Sequence, residues 1–371
     1  MSNLPGLKPL ATTAIPTSRV SRRISFMGRV RELSILLALL IVIVAATAKN
    51  TNFTFSADGW RDLFLTPSIL VLVAVGQGIV LITRNVDLSV GSVMGLSAYL
   101  TGRLFIDLPG IPMLLVIVLV VIFGGVLGLI SGALVAFARV PAMVITLGML
   151  YAYRGINVLW AGSDRINASD LPRDFLALGT GQVLSIPILA IIAFIVLFGA
   201  AWLIKNTRGG REYYAIGSDP AAAELYGLKT TRRVLTAFVL SGALAGLAGV
   251  FYAARYGTVN SQAGSGWELD AVGAAVIGGV AITGGVGSLW GAAIGGMLLA
   301  TINRALPVLG IPDFWQRFVV GLLILGAIVL DRAVALRQKR RLIESRGRED
   351  APPPPPPPPG VPEPETARSN A

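Results

Sequence analysis

Long uncharged, apolar runs separated by short polar segments dominate the chain. These runs lie at 63–83, 108–138, 175–204, 234–254 and 271–303. A helix needs about 20 apolar residues to cross the hydrocarbon core of a bilayer, so each run predicts one or two crossings. The pattern therefore predicts an all-α polytopic membrane protein with about ten transmembrane helices.

The predicted organisation has three parts. Residues 1–32 form a basic N-terminal segment, residues 33–334 form the transmembrane domain with a polar loop at 205–233, and residues 335–371 form a basic and then proline-rich tail. The ten predicted spans lie near 33–48, 63–83, 88–106, 112–138, 141–160, 186–204, 234–255, 268–285, 288–306 and 314–331. Arg103 and Arg154 lie within the predicted spans 88–106 and 141–160.

The distribution of positive charge orients this topology. The net charge is +11, and lysine and arginine concentrate before the first run, in 205–233 and after residue 331. Cytoplasmic segments of membrane proteins carry such an excess. We therefore predict that both termini and the 205–233 loop are cytoplasmic, and that the basic charge reflects topology and not nucleic-acid binding.

The first apolar run has an alternative interpretation. Its basic flank and the small residues at 45–48 resemble a cleavable signal peptide. The segment before the run is unusually long for a signal peptide, so we predict that the run is retained as the first span.

The composition argues against an enzyme. The chain has no cysteine and no histidine, which removes thiolate nucleophiles, thiolate metal sites and the commonest general base. No Gly-Lys dipeptide occurs, so the chain has no phosphate-binding P-loop. We predict no catalytic residue, no metal site and no cofactor site in this chain.

The most informative polar segment is 210–227, between two apolar blocks. Asp219 stands at a helix N-cap, Pro220 at the first helical position and Gly227 at the stop. A helix of about seven residues is too short to be stable alone in water. The pattern predicts a short helix that docks on the protein and receives a push from a partner.

Glycines mark two further features of the chain. Glycines four residues apart, as in 124–132 and 242–246, predict close helix packing. The doublets Gly278–Gly279 and Gly284–Gly285 predict a break or a re-entrant turn. The segments 85–91 and 268–273 have weakly similar sequences, which suggests the hypothesis that the two halves are inverted repeats.

Polar residues beside the apolar blocks have two interpretations each. Asp87 or Ser89 caps the next helix, which is the commoner role, or lines a polar path or gate. Trp267 belongs to an interfacial aromatic belt or stacks on a sugar-like solute. The candidate path or gate residues are Asn85, Asp87, Ser89, Gly91, Trp267, Glu268 and Asp270.

The eight consecutive prolines at 352–359 predict a polyproline II rod. A solvated tail without further function is the favoured interpretation. A ligand for a proline-binding partner is the alternative.

Four motifs occur in order and carry a resemblance. They are ITRNVDLSVGS at 82–92, VPAMVITLGMLYAYRG at 140–155, GREYYAIGSDPAAAELYG at 210–227 and ELDAVGAAVIGGVAITGGVGSLWGAAIGG at 268–296. The chain resembles the permease subunits of bacterial ABC sugar importers, the group for ribose, xylose, arabinose, galactose, rhamnose and autoinducer-2. The resemblance covers roughly 33–335, and the first motif is most similar to the rhamnose and autoinducer-2 branch.

The resemblance implies a ten-helix permease fold, two identical or related copies around one pathway, and import of a monosaccharide or sugar-like solute by alternating access. ATP and Mg would be bound by a partner ATPase, which contacts the loop that matches 215–227. The coupling residues implied are Gly217, Ser218, Asp219, Pro220, Ala223, Glu224 and Gly227. A periplasmic sugar-binding protein would dock near 161–185, 257–267 and 307–313. The rival hypothesis is an ion-coupled secondary transporter, which needs ionisable residues at mid-membrane.

Overall fold

The computed structural model describes residues 17–312 except 139, and scattered residues between 315 and 329, with side chains from residue 32 onward. The chain divides into two units, 1–327 and 328–371, and the helices described below all lie in the first. The tail 335–371 and residues 1–16 lie outside the described residues, as does most of the predicted span 314–331.

The described part of the chain is mostly helical. Its helices are α1 (Thr17–Lys49), α2 (Asn52–Phe55), α3 (Ala57–Ile82), α4 (Val90–Asp107), α5 (Met113–Ala138), α6 (Ala142–Ala161), α7 (Arg173–Thr180), α8 (Ile188–Asn206), α9 (Arg208–Ser218), α10 (Pro220–Leu225), α11 (Thr230–Tyr256), α12 (Trp267–Ile277) and α13 (Leu289–Val308). A 3-10 turn at Ala168–Asp170 precedes α7, and a short antiparallel hairpin of β1 (Gln182–Val183) and β2 (Ile186–Pro187) follows it.

Seven helical segments within the described residues are long and apolar enough to cross a membrane. They are Glu32–Lys49 of α1, α3, α5, α6, α8, α11 and α13. This confirms an all-α polytopic membrane protein. Helices α4 and α12 lie in the same bundle but do not meet that criterion of length and hydropathy.

Three non-helical breaks interrupt the bundle, and we number them along the chain. The first break is 83–89, between α3 and α4; the second is 257–266, between α11 and α12; the third is 278–288, between α12 and α13. The predicted span 268–285 is therefore not one continuous helix. Its helix ends at Ile277, and the glycine doublets lie in the third break, where Gly279, Gly284 and Gly285 adopt positive φ.

Helix α3 lies at the centre of the bundle. In its membrane-spanning window, 94% of the residues are buried, because α8, α11, α12 and α13 pack around it. Helices α5, α6 and α8 are the opposite case, with fewer than half of their residues buried and apolar side chains such as Phe137, Leu159 and Phe198 exposed. Exposed apolar faces of this kind suit contact with lipid tails.

Helices α5 and α11 contact each other through their backbones. Gly124 and Gly128 of α5 face Gly242 and Gly246 of α11, and a Cβ atom on any of them would overlap the backbone of the facing helix. The small residues let the two backbones touch, which confirms helix packing as the role of this spacing.

The inverted-repeat hypothesis stays a prediction. Helices α3 and α11 are both long helices that lead through a break into a shorter one, α4 and α12. This shared order agrees with the hypothesis, but the hypothesis also requires a pseudo-two-fold axis between the halves, which the order of helices does not test.

Candidate functional site: a short helix pair docked on two chain breaks

Helix α10 forms where the sequence predicted a short helix. The Asp219 side chain accepts a hydrogen bond from the Ala222 amide (3.0 Å), and Pro220 occupies the first helical position. After the helix, Gly227 adopts φ +77°, a conformation that favours glycine. Local capping chemistry thus defines both ends of a helix of six residues.

Helix α9, directly before α10, was not predicted. Thr207 caps it, since its hydroxyl oxygen accepts a hydrogen bond from the Gly210 amide (3.0 Å). The available signal was this threonine followed by an amphipathic pattern in which Tyr213, Ile216 and Gly217 are buried. The consecutive glycines 209–210 in the first turn concealed it, because glycine is a poor helix former.

Helix α9 docks at the same time on the end of α3, where the first break begins, and on the third break. Gly217 is buried against the carbonyl oxygen of Ile82 and the amide of Gly285, and a Cβ atom there would overlap both. The Gly285 amide donates to the Ile82 carbonyl (2.9 Å), and the Tyr214 hydroxyl donates to the Gly287 carbonyl (3.0 Å). The end of α3, the third break and α9 are therefore joined through backbone atoms.

The surface that α9 and α10 expose is apolar at the C-terminal end of α10. Leu225 and Tyr226 are 89% and 87% exposed. Ala223 is buried, and the Glu224 carboxylate accepts a hydrogen bond from the Thr230 hydroxyl (2.8 Å). Of the predicted coupling residues, Ser218, Asp219, Glu224 and Gly227 are exposed, whereas Gly217 and Ala223 face the protein.

An ion pair ties α9 to the start of α11. The Arg233 guanidinium donates to Glu212 at 2.6 Å, and the more exposed Arg208 donates to the same carboxylate at 3.2 Å. These hydrogen bonds and charges, that of Arg233 first, lower the pKa of the Glu212 carboxyl below its usual range.

The lowered pKa gives a prediction for stability. A depressed carboxyl pKa means that the folded state favours the ionised form, so the contribution is present above the ordinary carboxyl pKa and is lost as pH falls through the lowered value. We expect Glu212→Gln to lower the apparent melting temperature in detergent by about 2–4 °C at pH 7. The difference from wild type should shrink below the ordinary carboxyl pKa, and an equal difference at every pH would contradict this assignment.

Asp87 lies at the centre of a buried polar network. One carboxylate oxygen accepts from the Ser89 amide (2.9 Å) and hydroxyl (2.6 Å), and the other from the Ser241 hydroxyl of α11 (3.4 Å). With its amide nitrogen towards the Asp87 carbonyl, Gln77 makes two hydrogen bonds to the backbone of that residue, at 2.9 and 3.2 Å. Asp87 is 1% exposed, so in this protomer it holds the first break to α3 and α11 and does not lie on a surface.

The other predicted path residues lie on either side of a backbone contact between Gly91 at the start of α4 and Gly264 in the second break. Asn85 is half-buried and bonds within its own turn, whereas Ser89 and Gly91 are buried. Three residues in the first turn of α12, directly after the second break, are half-buried: Trp267, Glu268 and Asp270. Gly264 touches Gly91 through backbone atoms, and the Glu268 carboxylate lies against Gly91, so the structure brings the two motifs together.

Trp267 is half-buried and packs against neighbouring side chains. Its indole meets Tyr252 edge-on, with ring centroids 6.1 Å apart, and lies against the buried clusters around α3. Sequence reasoning noted Arg154 only as a charge within a span. The structure places its guanidinium beside Glu268.

A multi-pass helical bundle with interrupted helices and a short helix pair docked on the interruptions belongs to the class of membrane transport proteins. The chain matches, over residues 61–328, the family described as branched-chain amino acid transport system permease components, and it belongs to this family. It is a transporter subunit and not itself an enzyme.

Relatives support the same assignment. The chain is 37% identical over 321 residues to the autoinducer 2 import system permease protein LsrC of Enterobacter sp. (strain 638), covering 85% of this chain and 92% of that protein. It is 35% identical to the protein of that name from Yersinia pseudotuberculosis serotype O:1b (strain IP 31758), covering 86% and 90%. For the Shigella flexneri protein the identity is 34%, covering 86% and 92%. No solved structure matches the chain significantly. The resemblance to sugar-importer permeases is confirmed.

Proposed function

We propose that this chain is the membrane-spanning permease of an ATP-binding-cassette importer for a sugar-like solute of the autoinducer-2, rhamnose or ribose class. Relatives that match over more than four-fifths of the chain include permease proteins of autoinducer 2 import systems. On this proposal, ATP and Mg bind to a separate ATPase, and the chain itself supplies the pathway.

One observation carries the proposal of coupling to that ATPase. The exposed apolar end of α10 is continuous with α9, which contacts the end of α3 and the third break through backbone atoms. A partner that binds Leu225 and Tyr226 therefore displaces the end of α3 and the third break together. Alternating access follows if the breaks adopt a second arrangement when the ATPase closes.

The proposed topology places α9 and α10 in the cytoplasm of a bacterial cell, with both termini on the same side. The multi-pass inner-membrane location itself follows from the family and the apolar helices. The opposite end of the bundle, with α7 and the β1–β2 hairpin, then faces the periplasm and receives the sugar-binding protein. Of the segment 257–267, only the first part lies at that end, beside Ile166; Gly264 lies against Gly91 inside the bundle.

The test is reconstitution with the partner subunits. Chain purified from its native membranes in mild detergent is expected to bring an ATPase with a P-loop and a second permease copy or related permease. In liposomes, with the binding protein added, this complex should import autoinducer-2, and ribose or rhamnose should be tested as competitors. Uptake driven by a proton or sodium gradient without an ATPase would favour the secondary-transporter rival.

Tyr214 offers a conservative test of the route through α9. Tyr214→Phe removes only the hydroxyl that binds the Gly287 carbonyl, and we expect the solute imported per ATP hydrolysed to fall about 2- to 10-fold, in line with one hydrogen bond. Tyr213→Phe is the matched control, because that hydroxyl binds Thr236 of α11 at 2.8 Å and not a break. Equal coupling in the two variants would contradict the route.

A further inference from the structure

The ion pair Arg154–Glu268 lies well inside the bundle. Arg154 is about 18 Å along the axis of α6, a helix of about 30 Å. Glu268, in the first turn of α12, lies against Gly91 at the start of α4. Both side chains are mostly buried yet not closed off, with 14% and 13% of their surfaces exposed.

Polar residues of the second break lie next to this ion pair and are exposed. Gln262 and Ser265 of the second break are exposed, and Gly266 leads into α12 in the left-handed conformation. Charged and polar groups at this depth are costly against lipid tails and normally face protein or a water-filled cavity. This surface, Arg154, Gln262, Ser265 and Glu268, is called the mid-depth polar face below.

The ion pair itself is incomplete. The guanidinium donates from Nη1 to the Ala263 carbonyl (3.1 Å), which leaves Nη2 at 3.9 Å from Glu268 Oε2. That separation exceeds a hydrogen bond, and Oε2 is buried without a hydrogen-bond partner. A shift of the second break that opens this gap would let a hydroxyl group of the solute bridge the donor and the acceptor, since a hydroxyl both accepts and donates.

We propose that the mid-depth polar face binds the hydroxyl groups of the solute during its passage, with Arg154 and Glu268 as the contacting pair. The pair has no net charge, so it selects neither cations nor anions and fits a neutral polyhydroxylated molecule. This inference rests on the proposed import function and adds to it the site on the permease itself. Nearby Trp267, packed on Tyr252, holds the start of α12 in place.

The first test is transport by charge-neutral variants in the reconstituted complex. Glu268→Gln keeps the shape of the side chain and is expected to lower autoinducer-2 uptake about 10- to 100-fold, the effect of one hydrogen bond to a charged group. Asp107→Asn is the matched control, because Asp107 forms an exposed ion pair with Arg103 at 2.7 Å and lies at the far end of α4. Uptake by Glu268→Gln equal to wild type would overturn the proposal.

A charge exchange separates solute contact from a structural ion pair. If the pair only stabilises the fold, the double variant Arg154→Glu, Glu268→Arg restores both thermal stability and uptake, and the proposal fails. If the pair contacts solute, the double variant regains stability and its uptake stays low, because donor and acceptor have changed places.

The absence of cysteine from the chain allows a third, independent measurement. Ser265→Cys is expected to react with a small charged methanethiosulfonate in liposomes, and added solute should slow that reaction. Phe198→Cys, on the exposed apolar face of α8, should not react. An unreactive cysteine at 265 would show that this face meets lipid or protein and would overturn the proposal.

These measurements distinguish the two levels of inference. If the wild-type complex imports none of the sugars offered, the proposed function fails, and labelling at 265 still decides whether the face is aqueous. If wild type imports autoinducer-2 and Glu268→Gln does so equally, only the further inference fails.

Discussion

Gly217→Val is expected to reduce uptake to background while the chain still inserts into the membrane. Gly217 is buried, and a Cβ atom there would overlap the Ile82 carbonyl and the Gly285 amide, which are backbone atoms that cannot rotate away. The larger side chain displaces α9 from the end of α3 and from the third break. Uptake by the reconstituted complex and co-purification of the ATPase measure the effect.

Gly199→Val is the control for this experiment. It adds the same side chain to another helical glycine, but a Cβ atom at Gly199 meets no other atom within 4 Å. Wild-type uptake by the control together with loss of uptake at Gly217 supports the docking of α9. Substantial uptake by Gly217→Val would show that α9 is not seated as described.

Leu225→Ala combined with Tyr226→Ala is expected to weaken ATPase binding at least about 100-fold, with the melting temperature of the isolated permease unchanged. Both side chains are almost fully exposed in this chain, so truncation removes no internal packing. Burying each in a partner contributes about 1.5–3 kcal/mol, and a loss of about 2.7 kcal/mol corresponds to 100-fold. Titration of the ATPase against the permease in lipid nanodiscs measures the change.

Leu184→Ala is the matched control at the other end of the bundle. Leu184 is 92% exposed in the turn of the β1–β2 hairpin and offers the same change of side chain. Equal ATPase affinity in wild type and in the α10 double variant would show that the partner binds elsewhere. The buried Ala223 is unsuited to this purpose, because its substitution disturbs the docking of α10 before it tests a surface.

The sequence predicted those features that depend on local chemistry. Asp219, Pro220 and Gly227 specify α10 because capping, the fixed φ of proline and the left-handed preference of glycine act within a few residues. The apolar runs similarly predicted the crossing helices. The glycine doublets indicated the third break, but the predicted span 268–285 wrongly included part of it as helix.

The features that depend on tertiary contacts were not predictable. Helix α9 is stabilised by burial of Tyr213 and Ile216, and glycine in its first turn disfavours it locally. The burial of Asp87 and Ala223 and the exposure of Leu225 depend on how the helices pack. The pairing of Arg154 with Glu268 joins two distant segments, and no periodicity in a single sequence reports it.

The glycine contact between α5 and α11 has a consequence for how the protein moves. Where two backbones touch at Gly124, Gly128, Gly242 and Gly246, no side chains lie between them that can change rotamer to permit sliding. We therefore expect these two helices to move as one rigid body. Gly249 of α11 lies against the backbone of α4 in the same way, so α4 is expected to move together with this pair.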